Sequence, residues 1–278
     1  MSDYLIIGGS GKTGRRIVEH LTAAGHTARA ASRGGAVHFD WHDETTWDAA
    51  LAGTEGVYLV VPQQGFEYAA PFAALLKRAE AAGVRRAVML SARGAEFVPG
   101  NPVFAAEDVV RGSGLDWTIL RPTWFDQNFT EAYFAPGEDG AVVAPAGDGR
   151  EPFVDLDDVA AVAAAALTDP RHAGRTYELS GPEALTFGEL VALLAAEAGR
   201  ELRYVAADPA DYERILTGAL DAERAAFLAQ LFAAIRDGRD TRLSDGVQQA
   251  LGRPATTVAQ WAAREGAALR AEAVAPSD

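Results

Sequence analysis

Apolar and polar positions along this chain of 278 residues alternate between two rhythms. Short, mostly apolar runs at Tyr4–Ile7, Thr27–Ala31, Val37–Phe39, Gly56–Val61, Arg86–Leu90 and Trp117–Leu120 predict strands. Between them, Lys12–Ala24, Thr45–Leu51, Phe66–Ala82 and Val103–Arg111 carry helical spacing. Strands without polar alternation are covered on both faces, as in a parallel sheet joined by crossover helices. After Pro122 the rhythm loosens. Pro136-Gly137 and Gly147–Pro152 read as loops, Asp157–Leu167 as a helix and Arg175–Leu179 as a returning strand. Thr186 stands where a cap is needed for a helix over Phe187–Ala198, and Leu202–Val205 predicts a last strand. From Asp208 onward the pattern is mostly helical, with loops around Gly238, Gly252 and Pro254.

Composition narrows the class. Hydrophobic residues at 49% and charged residues at 23% fit an ordinary globular chain. No apolar run approaches the roughly 20 residues that span a bilayer, so no membrane partner is expected. Met1-Ser2-Asp3 supplies no basic region, and Leu5–Ile7 runs straight into glycines, so this stretch reads as a strand and not a signal peptide. The absence of cysteine excludes disulfides, thiolate zinc sites and thiol nucleophiles, and a cytoplasmic location is expected. Acidic residues outnumber basic ones by 39 to 25, and a net charge of −14 argues against nucleic-acid binding. Nothing in the composition specifies an oligomeric state.

The strongest chemical signal is the loop Gly8-Gly9-Ser10-Gly11-Lys12-Thr13-Gly14. Two registers fit it: Gly8, Gly11 and Gly14, or Gly9, Gly11 and Gly14. Either lets backbone amides approach a pyrophosphate at the start of a helix, and the preceding strand supplies the required context. A Walker-type phosphate loop is excluded because Ile6 stands where that motif needs glycine. The expected fold class is therefore α/β. A Rossmann-type parallel sheet with helices on both faces would be followed by a smaller mixed, mainly helical C-terminal substrate-binding part. The nucleotide-binding domain would span 1–125 and the substrate-binding part 126–278, the two sharing one core.

Cofactor choice is read after the second strand, where enzymes that use NAD carry an acid for the ribose hydroxyls. No acid occurs between Glu19 and Asp40; Ser32-Arg33 stands there instead and suits a 2′-phosphate, with Lys12 able to assist. NADP(H) is thus the expected cofactor, with a small-molecule substrate as partner. The chain has two lysines, Lys12 and Lys77, preceded four residues earlier by Gly8 and Ala73, so a Tyr-x-x-x-Lys proton donor is absent.

The segments Gly8–Arg16, Ala31–Arg33, Phe39-Asp40-Trp41 with Thr46-Trp47, Val57–Pro62, Val84–Ser91 and Leu120–Phe129 together resemble the NmrA-like atypical short-chain dehydrogenases. Within that group the ergot-alkaloid (festuclavine) dehydrogenase branch is the more similar. Gly147–Val162, Ser180–Leu190 and Ala234–Pro254 continue the likeness. The resemblance implies an NADPH-dependent reductase of an imine or iminium in specialised metabolism, with Asp40 near the adenine. It implies Pro62 and Ser91 beside the ribose and nicotinamide, and Pro122 through Phe125 over the nicotinamide. Two other readings stay open: a non-catalytic NADP-binding regulator, and a quinone or enone reductase.

Trp124 and Phe125 serve equally well as pocket lining or core. Asp126 departs from the family, which favours an apolar residue there; it either holds a cationic substrate or caps the following helix. Ser91, Glu107 and Asp126 are the candidates for a catalytic side chain. Asp155, Asp157 and Asp158 read as caps and helix-dipole partners, and no metal site is expected.

Overall fold

The computed structural model describes residues 2–62, 67–131, 133–220 and 222–273. Strands β1 (Asp3–Ile7), β2 (Thr27–Ser32), β3 (Val37–His38), β4 (Gly56–Val60), β5 (Arg86–Leu90) and β6 (Asp116–Pro122) alternate with four helices. These are α1 (Lys12–Ala23), α2 (Trp47–Leu51), α3 (Ala69–Ala81) and α4 (Pro102–Gly112). Then come α5 (Asn128–Glu131), β7 (Ala141–Ala144), β8 (Arg150–Glu151), α6 (Leu156–Thr168) and β9 (Arg175–Leu179). The remainder forms β10 (Leu185–Thr186), α7 (Phe187–Ala198), β11 (Arg203–Ala206), α8 (Pro209–Ala219), α9 (Ala222–Arg236), α10 (Gly246–Leu251) and α11 (Val258–Glu265). The helix expected from Phe66 begins at Ala69; Phe66 itself lies outside the described residues.

The chain divides into two compact units. The first comprises 1–122, 156–179 and 246–253, and the second 123–155, 180–245 and 254–278. In the first, seven parallel strands are ordered β3-β2-β1-β4-β5-β6-β9. The order reverses between β1 and β4, and because each crossover is right-handed, the reversal sends helices to both faces. On one face α1 packs on α6; on the other α3 packs on both α2 and α4. The apolar runs become buried strands: Leu5, Ile6, Val57, Leu59, Ala87, Val88 and Met89 have no exposed surface.

The expected division at residue 125 differs from the observed one for a specific reason. β9 pairs in parallel with β6 from Thr118↔Arg175 to Pro122↔Leu179, and α10 packs on it and on α6. The sheet edge beyond β6 thus recruits segments from far along the chain. The second unit has an apolar cluster with Phe129, Phe134, Phe153, Phe187, Phe232 and Trp261 at its centre. Within it β7 pairs in parallel with β11, and β8 pairs antiparallel with β10. β8 lies in the stretch expected to be a loop; two residues are too few to leave a periodic signal. Thr186 caps α7 as expected, in a capping box with Glu189.

Candidate active site

The glycine loop leaves β1 at the reversal point of the sheet. Gly8 has φ +72°, a conformation L side chains rarely adopt, and its N–H donates to Ala31 O at 2.9 Å. Gly9 is needed for another reason: a Cβ there would lie 2.5 Å from Ala30 Cα and 2.9 Å from Ile6 O. At Gly14 a Cβ would lie 2.3 Å from Gly8 O and 2.7 Å from Gly9 Cα. Both registers left open by the sequence are therefore occupied. The third glycine of each, Gly14, serves the loop's own backbone packing.

Gly11 is the N-cap of α1, without a side-chain cap bond and with no acid in the first turn. The positive end of this helix is left for an anion. Ser10 is exposed, Lys12 is half-buried and Thr13 is buried. At the end of β2, Ser32 is half-buried and Arg33 exposed. Among the described residues the Arg33 guanidinium has no ion-pair partner; its carbonyl accepts from His38 Nδ1 at 2.8 Å. A glycine cradle, an uncapped helix start and an open guanidinium fit a phosphorylated dinucleotide.

The DW and TW pairs of the sequence form a clasp. Asp40 N donates to Thr46 Oγ1 at 3.1 Å, and Trp47 Nε1 donates to Asp40 O at 2.7 Å. Trp41 stacks on Phe72 with centroids 5.0 Å apart, and Phe39 stacks on Trp47 at 6.1 Å. Asp40 Oδ1 accepts from His42 N at 3.0 Å, so half of that carboxylate is committed to the turn. The clasp is thus a packing device that fixes the loop after β3.

Pro62 is buried just past β4, and Pro122 is buried as the last residue of β6. At the ends of β5 and β6 a charged cluster surrounds Glu107, which has no exposed surface. Ser91 Oγ donates to Glu107 Oε1 at 2.5 Å, and Arg121 donates through Nε at 2.8 Å and Nη2 at 2.5 Å. Arg111, one turn along α4, adds a bond of 2.7 Å to Oε2. Burial disfavours the charged form of Glu107. Hydrogen bonds from Arg121 and Ser91, the Arg121 charge and Arg111 outweigh it and hold the carboxyl below its usual range. Glu107 is therefore an ionised acceptor within this cluster. Ser91, whose hydroxyl hydrogen is engaged in the bond to Glu107, has only lone pairs to offer elsewhere.

Sequence reading missed Arg121 and Arg111. The i,i+4 spacing of Glu107 and Arg111 was a visible signal. Arg121 carried none, because a strand-end arginine is usually solvated.

In the second unit, Trp124 packs on Phe134 and Phe232 with centroids 5.4 and 5.3 Å apart, yet stays partly exposed, as does Phe125. Trp124 is thus both core and surface. Asp126 is fully buried; its N–H donates to Val154 O and its carbonyl accepts from Phe129 N, both at 3.0 Å. The three acids around residue 156 each have a different partner. Asp155 takes Gln127 and Arg264, Asp157 takes His20, and Asp158 takes Arg253.

A family described as NAD(P)H-binding matches residues 8–170. The chain belongs to that family. An NAD(P)H azoreductase of Xenophilus azovorans is similar, 32% identical over 96% of this chain and 99% of the relative. Agroclavine dehydrogenase of Claviceps fusiformis is 31% identical over 89% of this chain and 92% of its own length, which bears out the likeness to the ergot-alkaloid dehydrogenases. An NADPH-dependent quinone oxidoreductase of Escherichia coli, solved with NADPH, superposes with a TM-score of 0.76 and 26% identity. It covers 94% of this chain and 99% of that one. The chain is an NAD(P)H-dependent oxidoreductase with a Rossmann-type fold. Among the described residues no helix is long and apolar enough to cross a membrane.

Proposed function

We propose that this oxidoreductase uses NADPH to reduce an imine or iminium carbon of a nitrogen heterocycle. The observation that carries the reading is the committed state of the polar groups at the strand ends. Ser91 donates its hydroxyl hydrogen bond to Glu107, Glu107 is ionised, and no Tyr-x-x-x-Lys dyad exists. A carbonyl needs a proton as its oxygen becomes negative. An iminium carbon already carries the charge that draws hydride, so orientation and electrostatics suffice.

NADPH supplies the hydride when bound. Gly8, Gly9, Ser10, Gly11, Thr13 and Gly14, with the start of α1, would hold the pyrophosphate. Ser32, Arg33 and Lys12 would hold the 2′-phosphate, with Asp40 toward the adenine. Pro62, Ser91 and Pro122 would stand along the ribose and nicotinamide. Trp124 and Phe125 offer partly exposed aromatic surface for a planar substrate. Asp126, being fully buried, would shape that segment rather than meet the substrate.

The likeness to the azoreductase and the quinone oxidoreductase supports a second reading, an uncharged conjugated acceptor such as a quinone. Steady-state kinetics followed by NADPH absorbance separate the two. A simple cyclic N-alkyl iminium is expected to give the higher kcat/KM. Turnover of a small naphthoquinone without turnover of the iminium sinks the first reading and supports the second.

A further inference from the structure

We propose that the first unit carries a second ligand site, at the free edge of its sheet, for the phosphate group of a small anion. β9 is the edge strand, separated from β1 by β4, β5 and β6. Four strand spacings amount to about 19 Å, so this edge is remote from the glycine loop. Beside β9 opens a cleft of about 400 Å³ lined by Arg171, His172, Arg175, Tyr177 and Gln249. Its volume falls among those of small-molecule sites. None of the five is acidic, although the chain as a whole carries a net charge of −14.

The side chains form an ordered set of donors. Arg171 Nε lies 3.4 Å from His172 Nε2. A guanidinium offers only donors, so Nε2 carries the lone pair and the ring proton sits on Nδ1. Nδ1–H then donates to Tyr177 Oη, 2.8 Å away. The phenol's own proton must therefore go to another acceptor, and none is present among the described residues, although Tyr177 is only 6% exposed. Burial and the Arg171 charge both hold His172 below its ordinary value, in keeping with the neutral ring this chain of bonds requires.

Charge enters from both arginines. Arg171 is steadied by Asp169, with Nε to Oδ2 at 3.0 Å, and is partly neutralised there. Arg175 is exposed and has no ion-pair partner among the described residues, so it supplies the net positive charge. Two guanidinium groups and a phenol proton around one cleft match a phosphate, which carries nearly two charges and three acceptor oxygens.

Isothermal titration of the full-length protein tests the proposal, with NADPH kept saturating so that the glycine loop is occupied. Ionic strength is held constant with chloride, because bulk salt also acts on surface charge. Inorganic phosphate and adenosine monophosphate are the probes, and acetate is the control. Saturable binding at one site is expected, weakened about tenfold or more by Arg175→Ala and about tenfold by Tyr177→Phe. Tighter binding of the nucleotide than of phosphate identifies a phosphorylated metabolite as the ligand; equal binding identifies free phosphate. The proposal is overturned by absence of saturable heat up to about 10 mM. Unchanged affinity in both variants, or acetate binding as well as phosphate, overturns it too.

Discussion

Two regions at the strand ends of the first unit do comparable work by opposite means. The glycine loop after β1 is made of backbone and works because side chains are missing: Cβ atoms at Gly9 and Gly14 would collide with neighbouring main chain. The cluster at β5, α4 and β6 is made of charge, with Glu107 buried beneath Ser91, Arg111 and Arg121. A region built by omission tolerates no added bulk. A region built by compensation tolerates no lost partner.

The comparison is most severely tested by Gly14→Val. The valine Cβ would sit 2.3 Å from Gly8 O, which cannot move without the loop. Stability should fall by about 3 kcal/mol, and NADPH should no longer raise Tm. A folded variant that still gains Tm with NADPH would break the omission account.

Glu107→Leu tests the other region. Removing the carboxylate strips Arg121 of its ion-pair partner and leaves Arg111 with Asp108 alone, at a cost of about 3 kcal/mol in a urea melt. Glu107→Gln sharpens the same point through pH. The folded carboxyl is held low, so its stabilisation is complete above the ordinary glutamate range, near pH 4.3, and fades as pH falls through the lowered folded value. The variant should show a flatter acid limb than the parent; identical acid limbs would mean that the ion pairs contribute nothing.

Smaller effects separate binding from structure. Arg33→Ala should weaken NADPH by roughly 2 kcal/mol, about thirtyfold, and leave NADH unchanged, as read by fluorescence titration. Equal losses for both cofactors would remove Arg33 from the 2′-phosphate. Ser91→Ala should cost about 1 kcal/mol of stability and no more than about tenfold in kcat with an iminium. A thousandfold fall would show that a proton must be delivered after all.

The smallest expected effect lies in α1. His20 Nε2 stands 3.0 Å from Asp157 Oδ1, and this hydrogen bond raises the imidazole above its ordinary value. Its contribution is complete below about pH 6.5 and is lost as pH rises through the raised value. Both side chains are a third or more exposed, so the change should stay under about 1 kcal/mol, and His20→Gln should abolish it.

The strands, the helices between them, the glycine loop and the missing dyad were legible in the sequence. Each depends on residues close together in the chain: an apolar run, a spacing, a glycine where bulk is forbidden. Why the loop carries four glycines was not legible, because Gly9 answers to Ala30 on the next strand. Nor was Glu107 readable as an ionised acceptor, since its partners Ser91 and Arg121 are 16 and 14 residues away and meet it only when β5, α4 and β6 pack. Arg175–Leu179 was legible as a returning strand, but its place beside β6 and the division at Pro122 were decided by tertiary structure. A sheet edge takes whatever strand can satisfy its hydrogen bonds, and local pattern does not say which strand that is.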